Sequence, residues 1–72
     1  MEFTREEILE AYKRYFFKRA DLGYTDSDVS KIADIDAGCL CKWKKGTTMP
    51  RERTLFKISN VLGCKVTDLI CA

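Results

Sequence analysis

Thr25-Asp-Ser-Asp-Val-Ser-Lys-Ile-Ala-Asp-Ile-Asp-Ala-Gly-Cys-Leu-Cys-Lys-Trp-Lys-Lys-Gly46 is the stretch on which the fold turns. Thr25 followed by Asp28 is a capping pair, in which the hydroxyl accepts from the third amide of a helix and the carboxylate returns to the cap's own N–H. Tyr24 and Val29 flank it where two apolar side chains close over a helix start. Asp36 is a second N-cap, flanked in the same way by Ile35 and Leu40. Between the two starts, Asp34-Ile35-Asp36 leaves room only for a tight turn. Gly46, after Lys44-Lys45, supplies the left-handed residue at which a helix stops. Val29, Ile32 or Ala33, Ile35, Leu40 and Trp43 are spaced so that both helices share one small core.

Two short helices crossing at a turn of this length form a helix-turn-helix, or a plain helical hairpin packed within a bundle. The flanks extend the pattern. Thr4 with Glu7 makes another capping box, and Phe3 with Ile8 another apolar closure. Gly23 and Gly63 are further stops, and Pro50 separates the loop after Gly46 from the next helix. Arg51 is a poor cap, which makes the start of the fourth helix the least defined. Thr67 opens a last short turn. The spacing predicts five helices at 4–21, 25–33, 36–45, 51–62 and 67–71. On the first, Ile8, Tyr12, Tyr15 or Phe16, and the stem of Arg19 trace one face; on the fourth, Leu55, Ile58 and Leu62 do. No stretch alternates as a strand would. The expectation is one all-α domain over residues 1–72, with the helix-turn-helix at about 25–45.

Composition narrows the function. Seventy-two residues, 46% apolar and 33% charged, make one small globular unit with no room for a large cleft between two layers. There is no histidine, hence neither the commonest general base nor the commonest zinc ligand. With no paired-carboxylate cleft or phosphate loop either, the expectation is a non-enzyme without cofactor or metal. The cysteines at 39, 41, 64 and 71 contain no C-x-x-C pair, and Cys39 and Cys41 on a helix would point about 200° apart. Reduced structural thiols are expected. The longest apolar run is Leu69-Ile70-Cys71-Ala72, with Tyr15-Phe16-Phe17 the longest aromatic one, both far short of a membrane span, and the acidic, mixed N-terminus is unlike a signal peptide. A cytoplasmic protein is expected.

Charge is segregated. The net value is +2, yet residues 21–36 carry −4 and residues 37–57 carry +5, from Lys42, Lys44, Lys45, Arg51, Arg53 and Lys57 against Glu52. A basic segment following an acidic one gives a polyanion one surface to meet, though a solvated face has the same composition.

From Leu22 to Ile70 the chain resembles the phage repressor and Cro-type (XRE-like) helix-turn-helix domains. The resemblance rests on Thr25, Val29-Ser-Lys-Ile-Ala, Ile35-Asp36, Leu40, Trp43, Gly46 and Pro50. It continues through Thr54-Leu-Phe-Lys-Ile-Ser-Asn-Val-Leu-Gly63 and Val66-Thr-Asp-Leu-Ile70. It implies a five-helix, lambda-repressor-like fold and a sequence-specific regulator of phage or bacterial type, expected to repress transcription. Helix 36–45 would lie in the major groove of double-stranded DNA. Ala37, Gly38, Cys39 and Lys42 would then face bases. Thr25, Asp26, Lys45, Thr47, Thr48, Arg51 and Arg53 would face phosphates, a task suited to helix-start N–H groups and to cations.

The departures from the family pattern are as informative. Asp26 stands where the family favours glutamine, and a carboxylate there repels phosphate unless it sits back. Ala37 and Gly38 replace polar base readers, leaving Lys42 and Cys39 as the main candidates. Asp34 replaces the usual turn glycine. Lys44 takes the place of an acid that pairs with an arginine late in the first helix, here Arg19, so a like-charge pair is expected. These departures keep a second reading in play, a protein–protein module on the same fold with a decayed DNA face. Family members usually work as dimers on paired half-sites, and no second apolar helix follows Ile70 to build that interface.

Overall fold

The computed structural model describes residues 3–70. Its elements are α1 (Arg5–Asp21), α2 (Asp26–Ala33), α3 (Ala37–Lys44), α4 (Glu52–Leu62) and α5 (Thr67–Ile70). No strand occurs among the described residues. The last helix was expected to reach Cys71, which lies outside the described residues.

Each start follows from local chemistry. Thr4 Oγ1 accepts from the Glu7 N–H at 3.2 Å, and Glu7 Oε1 accepts from the Thr4 N–H at 2.9 Å. Thr25 and Asp28 reproduce the exchange at 3.2 and 3.0 Å. Asp36 Oδ1 takes the Gly38 N–H at 3.1 Å. Arg51 makes no side-chain cap bond, as a guanidinium with no acceptor atom dictates. In the last turn Asp68 reaches back to the Lys65 N–H at 3.0 Å, so a carboxylate assists the start at Thr67.

The turn between α2 and α3 depends on Asp34, which holds φ 56° and ψ 56° in the left-handed region. Asp tolerates that conformation better than most residues. The Ser30 hydroxyl closes the same turn by donating to the Ile35 carbonyl at 2.7 Å. At the other end of α3, Gly46 is buried with φ 74°, and a Cβ there would lie 2.9 Å from Leu9 Cγ. Both its backbone angle and this close approach to α1 require glycine.

The core gathers Ile8, Ala11, Tyr12 and Tyr15 from α1, Val29 from α2, and Leu40 and Trp43 from α3. Leu55, Ile58 and Leu62 of α4 and Leu69 of α5 complete it. α1 packs on α3 and α5, while α2 packs on α3 and α4. Trp43 sits at the centre with no solvent exposure, and its Nε1–H donates to the Ile8 carbonyl at 3.1 Å. Its ring meets Tyr12 edge-on at 5.5 Å and Tyr15 tilted at 4.9 Å, distances at which aromatic pairs attract beyond their burial.

Two open choices resolve. Tyr15 rather than Phe16 is the core residue, at 0% exposure against 42%. On α2, Ile32 turns outward at 55% exposure, and the half-buried Ala33 takes the inner place. Ile32 and Ala33 lie three and four residues after Val29, on either edge of its helical face, and the packing of α2 on α3 and α4 covers the edge that carries Ala33. No described helix is long and apolar enough to cross a membrane.

Candidate nucleic-acid interface

α3 is held from behind and open in front. Leu40 and Trp43 are buried, so the opposite face presents Ala37, Gly38, Cys41, Lys42, Lys44 and Lys45 to solvent. Three of the four expected base-facing residues, Ala37, Gly38 and Lys42, share that exposed side. Gly38 and Lys42 are one turn apart. Cys39 is half-buried, and its thiol pKa is raised by burial and by the Asp36 carboxylate, with Lys42 opposing. Cys41 is the exposed cysteine of α3 and lies outside the set expected from sequence. Its signal was present: it is one turn beyond Ala37 and does not share the Leu40–Trp43 face. Cys39, Cys41 and Cys64 are unpaired thiols. Among the described residues no three His, Cys, Asp or Glu side chains group to hold a metal ion.

The loop and the start of α4 add the cations. Lys45, Thr47, Thr48, Arg51 and Arg53 follow α3 along the chain, and all five are exposed. Among the described residues none of Lys45, Arg51 and Arg53 is in an ion pair, which leaves their charge available to an external anion. Thr47 is tied by its backbone N–H to the Lys42 carbonyl at 3.0 Å, fixing the loop to the end of α3.

At the start of α2 the side chains of Thr25 and Asp26 are both engaged within the protein. Thr25 Oγ1 is occupied by the Asp28 amide, and Asp28 accepts in return from the Thr25 N–H. Those bonds hold the Asp28 carboxyl below its ordinary pKa. The Asp26 side chain is turned back onto α1. Its Oδ1 accepts from Tyr15 Oη at 2.7 Å and from Arg19 Nε at 2.9 Å, and its Oδ2 accepts from Tyr12 Oη at 2.9 Å. The carboxylate is therefore unavailable as an outward phosphate-facing group, and only the backbone N–H of Asp26 can serve there. The N–H groups of Asp26 and Ser27 have no acceptor within the helix, as at any helix start.

The expected like-charge pair of Arg19 and Lys44 is corrected. Arg19 finds its acid on α2, at Asp26, and donates through Nη1 to the Tyr24 carbonyl at 3.1 Å. The guanidinium also lies 4.6 Å over the Phe16 ring, which covers its free face. Lys44 stays exposed on α3. The acid that pairs with Arg19 thus stands on α2 and not on α3.

A family model described as "Helix-turn-helix" matches residues 18–69, from the last turn of α1 to α5. No curated protein and no solved structure matches the chain. The match covers more than two-thirds of the sequence and every element that builds the exposed face of α3. Two capped helices meet at the left-handed Asp34, the second is backed by the buried Trp43, and the match spans both; the chain belongs to the Cro- and XRE-like helix-turn-helix family of DNA-binding transcription regulators.

Proposed function

We propose that the chain, acting as a single helix-turn-helix domain, binds double-stranded DNA sequence-specifically and represses transcription, with α3 in the major groove. The observation that carries this reading is the division of α3. Its inner side is locked by Leu40 and Trp43, its outer side combines small residues with Lys42, and the exposed Lys45, Arg51 and Arg53 follow it in the chain. In this reading Ala37 and Gly38 let the helix backbone approach the base edges, and Lys42 reads acceptors. An ammonium donates and cannot accept, so guanine O6 and N7 are its targets. Cys41 joins the base-facing side and Cys39 lies at its margin. Lys45, Thr47, Thr48, Arg51 and Arg53, with the Thr25–Ser27 backbone, face phosphates.

Binding-site selection on the parent and on Lys42→Gln tests the base reading. The mutant should lose roughly 1–3 kcal/mol at the preferred site and relax discrimination at one G·C pair. An unchanged preferred sequence removes Lys42 as a reader. Salt-dependent titration of bulk DNA tests the broader reading, since phosphate contacts make affinity fall steeply with salt. The same fold as a protein-interaction module is favoured by the lack of hydrogen-bonding side chains at Ala37 and Gly38, and flat salt dependence would select it. Two copies on paired half-sites are the arrangement that a solution mass, with and without DNA, would detect.

A further inference from the structure

Asp26 occupies the first turn of α2, where the proposed interface places a phosphate, and its negative charge is wrong for that neighbour. The structure deals with it from within. Three donors on α1 point at its two oxygens, from Tyr12 at 2.9 Å, Tyr15 at 2.7 Å and Arg19 at 2.9 Å. Arg19 also holds the Tyr24 carbonyl, so one guanidinium fixes both the chain entering α2 and the first residue of that helix. The same two tyrosine rings form the surface on which Trp43 of α3 rests, at 5.5 and 4.9 Å. The first turn of α2 and the recognition helix are thus registered to each other through one pair of side chains. Hydroxyls hold the former and the aromatic rings hold the latter.

We propose that Asp26 is a positioning residue for DNA binding. Its inward carboxylate docks the start of α2 against Tyr12, Tyr15 and Arg19. That docking sets the spacing between the Asp26 and Ser27 N–H groups and the outer face of α3. The side chain contributes no contact to DNA, and its charge is answered by Arg19. This rests on the reading of α3 as the groove-entering helix. It differs from two simpler roles for Asp26: a carboxylate that merely repels DNA, and an ion pair that merely holds the fold together.

The experiment is equilibrium binding of labelled duplex DNA by the parent, Asp26→Asn and Tyr15→Phe. It is run over a range of salt, at a temperature where circular dichroism places each protein on its folded plateau. Asp21→Asn, an exposed carboxylate at the end of α1, measures the effect of removing charge alone. Positioning predicts that Asp26→Asn and Tyr15→Phe both bind roughly five- to tenfold more weakly, the equivalent of about one lost hydrogen bond, although one of them removes a negative charge. A folded Asp26→Asn that binds as tightly as the parent, or more tightly, overturns the proposal. Tyr15→Phe keeps the ring packing and carries the test if Asp26→Asn does not fold; unchanged binding by it overturns the proposal equally. A parent that shows no salt-dependent binding to any duplex fails at the level of the interface itself. That result is distinct from a parent that binds and variants that bind equally well.

Discussion

At the start of α2 the protein has satisfied itself. Thr25 and Asp28 exchange hydrogen bonds, and Asp26 is gripped by three donors from α1. At the start of α4 it has not. Arg51 offers no cap bond, and the exposed Arg53 stands two residues later with no ion-pair partner among the described residues. Both starts lie among the residues proposed to face phosphate. The first has the side chains of Thr25, Asp26 and Asp28 engaged within the protein and keeps its first backbone N–H groups outward. The second forgoes the stabilisation that a serine or aspartate cap would supply and keeps its cations for an outside anion. Of the two helix starts, one is secured by the fold and the other is left uncapped.

The most disruptive way to break this comparison is to remove the support that the α2 start shares with α3. Trp43→Ala should cost roughly 3–5 kcal/mol in denaturant unfolding, a truncation at a fully buried site in the centre of the core. A variant that melts within a few degrees of the parent would show that the two helices do not depend on this ring.

Alkaline titration probes the same support chemically. Burial first, and then the Asp26 carboxylate, push the Tyr15 phenol pKa well above its ordinary value of 10.0. Burial raises Tyr12 as well, with the Arg19 hydrogen bond opposing and Asp26 reinforcing. These phenols stay protonated in the folded protein where they would ionise in the unfolded chain. Their contribution is therefore complete below about pH 10 and is lost as pH rises through the higher folded values. Stability measured by denaturant should fall above about pH 10, and Tyr15→Phe should make the fall shallower.

Capping substitutions sharpen the contrast directly. Thr25→Ala should destabilise by about 1 kcal/mol, because a satisfied N-cap is lost. Arg51→Ser should act in the opposite direction, raising stability by about 0.5–1 kcal/mol while weakening DNA binding. If Arg51→Ser leaves both unchanged, the α4 start is not an open site. The smallest effect on the fold is expected from Arg53→Gln. Its stability should stay within about 0.5 kcal/mol of the parent, while affinity falls similarly for all sequences and the salt slope drops by roughly one. A loss confined to one sequence would move Arg53 from phosphate to base contact.

Local chemistry makes the helix starts legible. The boxes at Thr4 and Thr25 and the cap at Asp36 reach at most three residues along the chain, and all three form. The left-handed Asp34 and Gly46 are readable for the same reason. The Asp26 cluster is not, because its donors lie 7, 11 and 14 residues away and meet it only after α1 folds across α2. Spacing leaves Ile32 and Ala33, and Tyr15 and Phe16, as equal candidates, since adjacent residues at the edge of a helical face are separated only by what packs against them. The family pattern, carried across position by position, favours Cys39 over Cys41 in the recognition turn. Burial of Leu40 and Trp43 decides instead which way each cysteine points.

Trp43 has an optical consequence. It is the single tryptophan of the chain, wholly shielded from water, with two tyrosine rings within 5.5 Å. Its emission should lie toward the blue in the folded protein, should be fed by light absorbed at Tyr12 and Tyr15, and should shift to the red on unfolding. The exposed side of α3 carries no chromophore. With light absorbed by tryptophan alone, a shift in that emission when a duplex is added therefore reports movement behind the helix, and a silent tryptophan during tight binding would mean that α3 docks as a rigid blade.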